Sequence, residues 1–259
     1  MQKLSKPREW MHILRIGLRS AGLILFALGW SSFGVIREST VTFLAEDGLV
    51  VTADQYVSAP DHPYILLFHE QGSSRGEFQK IARRLCNMNY NCLAVDVRNG
   101  ESWNFVSNET AKLCRESRCP VTHSDIELDM LAAIRYATQE SSQPVILFGS
   151  GANGSLCLKI ATEQEQVKAV IALSPGEYFL PSIHIEDAIR GLTKPAFITS
   201  SQTEIPYVSR LASGIDARYL TLFEPQLGEG GRGTSALTEE NVHNSEYWFA
   251  LLLFFKELV

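Results

Sequence analysis

The chain has 259 residues, of which 45% are hydrophobic and 20% charged, and its formal net charge is −6. That length suffices for one large domain with a substantial core, and the composition is that of a globular chain rather than a disordered one. No basic stripe follows the first residues, which excludes nucleic acid as a partner. The first 36 residues differ in kind from the rest. Lys3, Lys6, Arg8, Arg15 and Arg19 precede an uncharged run from Ser20 to Ile36. A basic flank before an apolar run reads as an export signal. The run falls short of the ~20 residues of a usual spanning helix. Small residues at Ala27 and Gly29, or Ser32 and Gly34, would suit a signal peptidase. The expectation is an exported protein, periplasmic or anchored to the inner membrane through residues 20–36, with its domain outside the cytoplasm. A buried N-terminal helix is the plainer alternative, and the basic flank argues against it.

Residues 37–259 read as a single domain in which strands and helices alternate. Val41 to Val57 predicts a hairpin turning at Glu46-Asp47-Gly48. Tyr64–His69 and Cys92–Val97 are continuous apolar runs, the pattern of strands buried on both faces. Phe78, Ile81, Ala82 and Leu85 have helical spacing. Ser124 is placed to cap a helix running to Gln139 with acidic residues in its first turn. Val145–Phe148 predicts a strand and Ser155–Glu163 a helix. Ala169–Leu173, Ala196–Ser200 and Arg218–Phe223 predict further strands, with a helix at Ile205–Ala212 before the last. Glu246–Leu258 closes the chain as an apolar helix. This alternation gives an α/β fold with a mostly parallel central sheet flanked by helices on both faces. Ligands of such sheets sit at the carboxyl ends of the strands.

Five cysteines bear on the compartment. Cys86 and Cys92 flank a turn, and Cys114 and Cys119 flank a polar loop. Close pairs of this kind suit the local disulfides Cys86–Cys92 and Cys114–Cys119, which persist in oxidising compartments. Zinc is the rival reading, but it needs about four ligands, and no paired His accompanies these cysteines. No metal, nucleotide or other cofactor is expected. Cys157 reads as a small buried hydrophobe.

The strand ends carry the chemistry. After Phe68 comes His69-Glu70-Gln71-Gly72-Ser73-Ser74-Arg75-Gly76. Val145–Phe148 is followed by Gly149-Ser150-Gly151-Ala152-Asn153, and Leu173 by Ser174-Pro175-Gly176-Glu177-Tyr178-Phe179. With the Asn108-Glu109-Thr110 loop, this set resembles the α/β-hydrolase fold and, within it, the dienelactone-hydrolase-like branch. The resemblance runs from Val41 to the C-terminus. It implies a Ser, acid, His triad in that chain order, and an oxyanion held by two backbone N–H groups. Carried over, those donors are Gln71 and Ala152. The acid falls near Gln202 to Glu204, and the His in the stretch around Arg232-Gly233-Thr234.

At those positions this sequence departs from the pattern. Gly151 occupies the nucleophile's place at the elbow and Arg232 that of the histidine. An arginine stays protonated and cannot act as a general base at neutral pH. Glu204 is the only carboxylate at the acid's place. Ser150 is the nearest replacement nucleophile, but one residue off the apex it reads as a turn residue, and Ser155 reads as a cap. His243 reads as a solvated helix-start residue, and His123 and His184 have no visible partner. Arg75 and Glu77 are expected to brace a loop. His69, at the oxyanion turn, and Glu177 are candidate binding residues.

Two functions follow. One is an exported, catalytically inactive α/β-hydrolase-like protein that binds a small ligand or a protein partner through the old cleft. The other is an active serine-type hydrolase of esters or related acyl compounds with a non-standard nucleophile. Gly151 and Arg232 favour the first. The fixed charge of Arg232 further predicts that the ligand is a small anion.

Overall fold

The computed structural model describes residues 35–258. The expected leader therefore lies, apart from Val35 and Ile36, outside the described residues. The strands, in chain order, are β1 (Arg37–Leu44), β2 (Val50–Val57), β3 (Tyr64–Phe68), β4 (Asn91–Val95), β5 (Ser102–Trp103), β6 (Val106–Ser107), β7 (Val145–Ser150), β8 (Val167–Leu173), β9 (Ala196–Thr199) and β10 (Leu220–Phe223). The helices are α1 (Gln79–Cys86), α2 (Glu109–Ser117), α3 (His123–Ser141), α4 (Gly151–Glu163), α5 (Ile185–Ala188), α6 (Ile205–Ala212) and α7 (Asn244–Glu257).

β3, β4 and β7 are buried along their whole length. A strand without a polar face must be covered on both sides, and the sheet meets that demand. Eight strands pair in the order β1-β2-β4-β3-β7-β8-β9-β10. β2 runs antiparallel to β1 and β4, and the rest pair in parallel. The alternation of side chains splits the core in two. Ile65 and Leu67 point into one half with Ile81 and Leu85 of α1 and Trp248, Leu251 and Phe254 of α7. Leu66 and Phe68 point into the other with Met130 of α3, Leu156 of α4 and Val208 of α6. The inner face of the apolar helix expected at the C-terminus closes one half of this core, while Phe249, Leu252 and Leu253 on its outer face are exposed.

Several local expectations change. The cap of α3 is Thr122, not Ser124: Thr122 and Asp125 form a reciprocal capping box. Asn108 does not lie in a free loop. It caps α2, its side chain accepting from the Ala111 N–H at 2.7 Å. Arg75 does not pair with Glu77 but binds Asp54 at 3.0 Å and Asp96. Of the two expected disulfides, Cys114–Cys119 is present, at the end of α2. Cys86–Cys92 is not: both thiols are free and buried. Neither sits in a polar loop. Cys86 ends α1 and Cys92 lies within β4, and each thiol donates to a backbone carbonyl of the core, Tyr56 O at 3.7 Å and Ala82 O at 3.6 Å. Cys157 is buried in α4 as expected.

One buried ion pair steadies the loop after β4. Arg98 donates to both Asp129 carboxylate oxygens, at 3.0 and 2.7 Å, and its Nη1 reaches Asp47 at 2.7 Å. Both Arg98 and Asp129 are shielded from solvent. This pins Asn99, whose carbonyl receives the Gly72 N–H at 3.0 Å and whose amide bonds Asn153 of α4 at 3.0 Å. The turn after β3 is thereby fixed against the start of α4.

Candidate functional site: a filled nucleophile elbow

β7 turns into α4 at Ser150-Gly151. Gly151 has φ +56°, in the left-handed region that side chains rarely adopt. The left-handed apex of an elbow is therefore present, without strain because the residue is Gly151. Ser150, one residue earlier, is extended and fully buried. Its Oγ has no hydrogen-bond partner. Ser155 is likewise structural, its hydroxyl bridging the backbone of Gly176 at 2.8 Å in both directions.

Another side chain fills the space above the apex. A Cβ added to Gly151 would stand 2.7 Å from Glu70 Oε1 and 2.8 Å from its Cδ. The Glu70 carboxylate lies where a nucleophile's side chain would have to be. A Cβ on Gly233 would meet both Glu70 Oε2, at 2.9 Å, and Ser150 Oγ, at 2.5 Å. Gly233 follows Arg232, so the segment expected to carry the histidine does reach the elbow.

Arg232 is placed between two acids. Its Nη2 is 2.8 Å from Glu70 Oε1 and its Nε 3.0 Å from Glu204 Oε1. Tyr178 Oη lies 3.4 Å from Nη2. Glu204 also accepts from the hydroxyls of Ser174 and Ser201, both at 2.8 Å, and the Gly233 N–H donates to Ser174 Oγ at 2.9 Å. The carboxylate expected at the acid's place thus faces the residue at the histidine's place, as an acid faces an imidazole in a triad. The pairing is now that of a salt bridge. Burial opposes the Arg232 charge, but Tyr178, Glu70 and Glu204 outweigh it and hold the guanidinium pKa above its ordinary value. Burial likewise pushes the Glu70 carboxyl above the usual range, with Arg232 pulling against it.

The expected oxyanion donors lie in the turn after β3 and in the first turn of α4. The Ala152 N–H belongs to the first turn of α4, whose donors have no partner within the helix. The Gln71 N–H has no acceptor among the described residues. The two N–H groups beside Gln71 are occupied, Glu70 donating to Glu77 at 3.0 Å and Gly72 to Asn99. Glu77 also accepts from the Thr234 hydroxyl at 2.7 Å, tying the turn after β3 to the Arg232 segment.

Two candidate binding residues are structural instead. His69 is completely buried. Its Nδ1 donates to Glu70 O at 2.7 Å, and its Nε2 accepts from the Val97 N–H at 3.1 Å and Asn108 Nδ2 at 3.0 Å. It shapes the turn and presents nothing to a ligand. The Glu177 carboxylate accepts from the backbone N–H groups of Ile185 and Glu186, both at 2.8 Å. It tethers the start of α5 rather than lining the cleft.

A cleft of about 660 Å³ opens beside this site, reaching it through Glu70 and Arg232 and walled by the turn after β3, the start of α1, the β5–β6 hairpin and residues 232–240. Glu70, Trp103 and Glu240 line it, and none was expected from the sequence. The signal available for Glu70 was its position next to an oxyanion donor and opposite a glycine apex, which leaves a hole for a longer side chain.

The fold is shared with solved hydrolases. An esterase of Pyrococcus furiosus superposes with a TM-score of 0.65 at 14% identity, over 86% of this chain and 91% of that one. An α/β hydrolase of a Penicillium species gives 0.66 at 13%, over 85% and 98%. The dienelactone hydrolase of Anabaena variabilis gives 0.61 at 16%, over 85% and 95%. No functionally curated protein matches the sequence. Residues 47–205, more than half of the chain, match the dienelactone hydrolase family, and the chain belongs to that family.

Proposed function

We propose that this chain is an exported, non-catalytic member of the dienelactone hydrolase family that binds a ligand through the cleft beside the elbow, against Glu70 and Arg232. The observation that carries the reading is the Glu70 carboxylate lying over Gly151, locked to Arg232. Nucleophile and base act as a unit in such sites, and losing either removes nearly all of the catalysis they supply. Here the nucleophile's place holds no hydroxyl, and the base's place holds a cation already shared by two carboxylates. A hydrolase working through Ser150 gains no support, because that hydroxyl is buried and without a partner. Export rests on the basic and apolar character of the first 36 residues, and the Cys114–Cys119 bond is compatible with it.

A fluorophosphonate probe read by intact mass tests the reading. The expected result is no adduct, together with no turnover of 4-nitrophenyl acetate beyond the faint rate that an oxyanion pocket alone supports. Stoichiometric labelling at Ser150 or Ser155 would overturn it.

A further inference from the structure

We infer that the outer face of α7 rests on the surface of a phospholipid bilayer, the one to which the first 36 residues direct the chain. The inference rests on the export reading of those residues and owes nothing to the cleft. Phe249, Leu252 and Leu253 are exposed at 63%, 40% and 45%. Apolar residues scattered singly over a surface need no account. These three fall at i, i+3 and i+4 of one helix and so form one patch. Tyr247, Trp248, Leu251, Phe254 and Phe255 take up the inner face, which leaves α7 apolar all round. A helix of that kind has apolar surroundings on both sides, and no other element of the described domain covers the outer one.

The path of the chain says what does. The uncharged run from Ser20 ends at Ile36 and β1 begins at Arg37, with no linker between them. Ile36 packs against the half of the core that α7 closes. Short contacts lead from there to α7 by way of α1. Glu38 pairs with Arg83 of α1 at 2.7 Å. The neighbouring Arg84 guanidinium lies 4.0 Å over the Trp248 ring of α7. Tyr90, just past α1, meets Phe255 of α7 at 4.9 Å between ring centres. The point where the chain enters the domain and the helix α7 therefore lie on one side of the sheet. A membrane-directed segment joined there without slack brings that side to the lipid. The run is also short of the ~20 residues of a spanning helix, so a second apolar contact adds hold.

The rim of the patch suits phosphate headgroups. Lys256 is exposed one turn beyond Leu252 and Leu253, and Arg84 lies beside the patch. Neither pairs with a carboxylate among the described residues. Glu257 is the exposed acid next to them, while the Glu246 carboxylate accepts from the backbone N–H groups of Gln226 and Leu227. Apolar side chains at the headgroup boundary with cations beside them are the make-up of a helix that lies on a membrane.

Site-directed fluorescence on the full chain, in vesicles of phosphatidylethanolamine and phosphatidylglycerol, tests the inference. An introduced cysteine is the one thiol open to a bimane label, because Cys86, Cys92 and Cys157 are buried and Cys114 is bonded to Cys119. Leu253→Cys and Phe249→Cys report the patch. Tyr207→Cys, exposed on α6 over the opposite half of the core, is the control. Brominated lipid should remove most of the emission at positions 253 and 249 and leave that at 207 unchanged. Exchanging phosphatidylglycerol for phosphatidylcholine should lessen the quenching. No quenching at 253 and 249, or equal quenching at all three positions, would overturn the inference. So would Leu253→Cys chains that crosslink to one another and stay unquenched, which would give the patch to a second copy. Flotation with the vesicles reads the membrane-directed segment separately. A chain that floats unquenched keeps that reading and loses this inference, and a chain that does not float loses both.

Discussion

Arg232 Nη2 and Glu70 Oε1 lie 2.8 Å apart beside the glycine apex of the elbow. The residue at the histidine's place therefore holds in position the side chain that fills the nucleophile's place. The two departures from the family pattern are one structural unit.

Restoring serine and histidine alone should then fall short. In a Gly151→Ser/Arg232→His variant the new side chain meets the carboxylate end of Glu70 at under 3 Å, and Glu70, released from its cation, has to swing aside before the serine can react. A fluorophosphonate adduct should form only slowly. Adding Glu70→Ala should clear the space and give an adduct at the introduced serine. Equal labelling of the double and triple variants would show that Glu70 does not block the site.

Glu70 also sets a pH dependence. Its folded-state pKa lies above the ordinary carboxylate value because of burial. The native state then holds the proton more tightly than the unfolded chain, so the contribution of Glu70 to stability falls as pH rises from the ordinary value through the raised one. Glu70→Gln carries no such titration, and Glu204 still pairs Arg232. The variant should be the more stable protein at neutral pH, with the gap closing as pH is lowered through that window. Urea denaturation across pH measures it. A gap that widens on acidification would contradict the raised pKa.

The cysteine pattern is checked chemically. Unreduced peptide mapping should find Cys114–Cys119. Iodoacetamide should leave Cys86, Cys92 and Cys157 unmodified in the native protein and alkylate all three after unfolding, since all are buried. Replacing both bonded cysteines by serine should cost about 2 kcal/mol, the loop-closure value for so short a loop. A Cys86–Cys92 crosslink in the mapped peptides would reverse the assignment.

The pair behind the site is predicted to be dear to break from one side. Arg98→Met leaves the Asp129 carboxylate buried and unpaired and should destabilise the fold by about 3–5 kcal/mol. Arg98→Met with Asp129→Leu removes both charges and should recover most of that loss. Chemical denaturation of the three proteins decides. A single variant within about 0.5 kcal/mol of wild type would mean that the pair does not hold the loop.

The sheet was legible because β3, β4, β7 and β8 are apolar runs bounded by turn residues, and hydrophobic period is a local signal. The short hairpin at Ser102–Ser107 and the four-residue α5 were not, because they are too short to show a period. The elbow, the Arg232 position and Glu204 could be placed by their order along the chain. What those residues do to one another could not. Arg232 read alone is a free cation; its two carboxylates lie 162 and 28 positions away in sequence and are brought to it only by the ends of β3 and β9. Cys86 and Cys92 were read correctly as neighbours, since the two thiols lie against each other in one half of the core, but the spacing could not show that they remain free and buried rather than bonded.

The Glu70–Arg232 lock also constrains how this chain could change over generations. A serine at the apex is obstructed while Glu70 remains, a histidine at position 232 strands a half-buried acid, and a shortened Glu70 alone yields a hole with no chemistry. If the chain is non-catalytic, as proposed above, each single step toward hydrolysis passes through a protein no better as a catalyst than its parent. Selection on turnover then has no gradient to follow, and the proposal implies that a lineage carrying this pair is held to uses of the cleft other than cleavage.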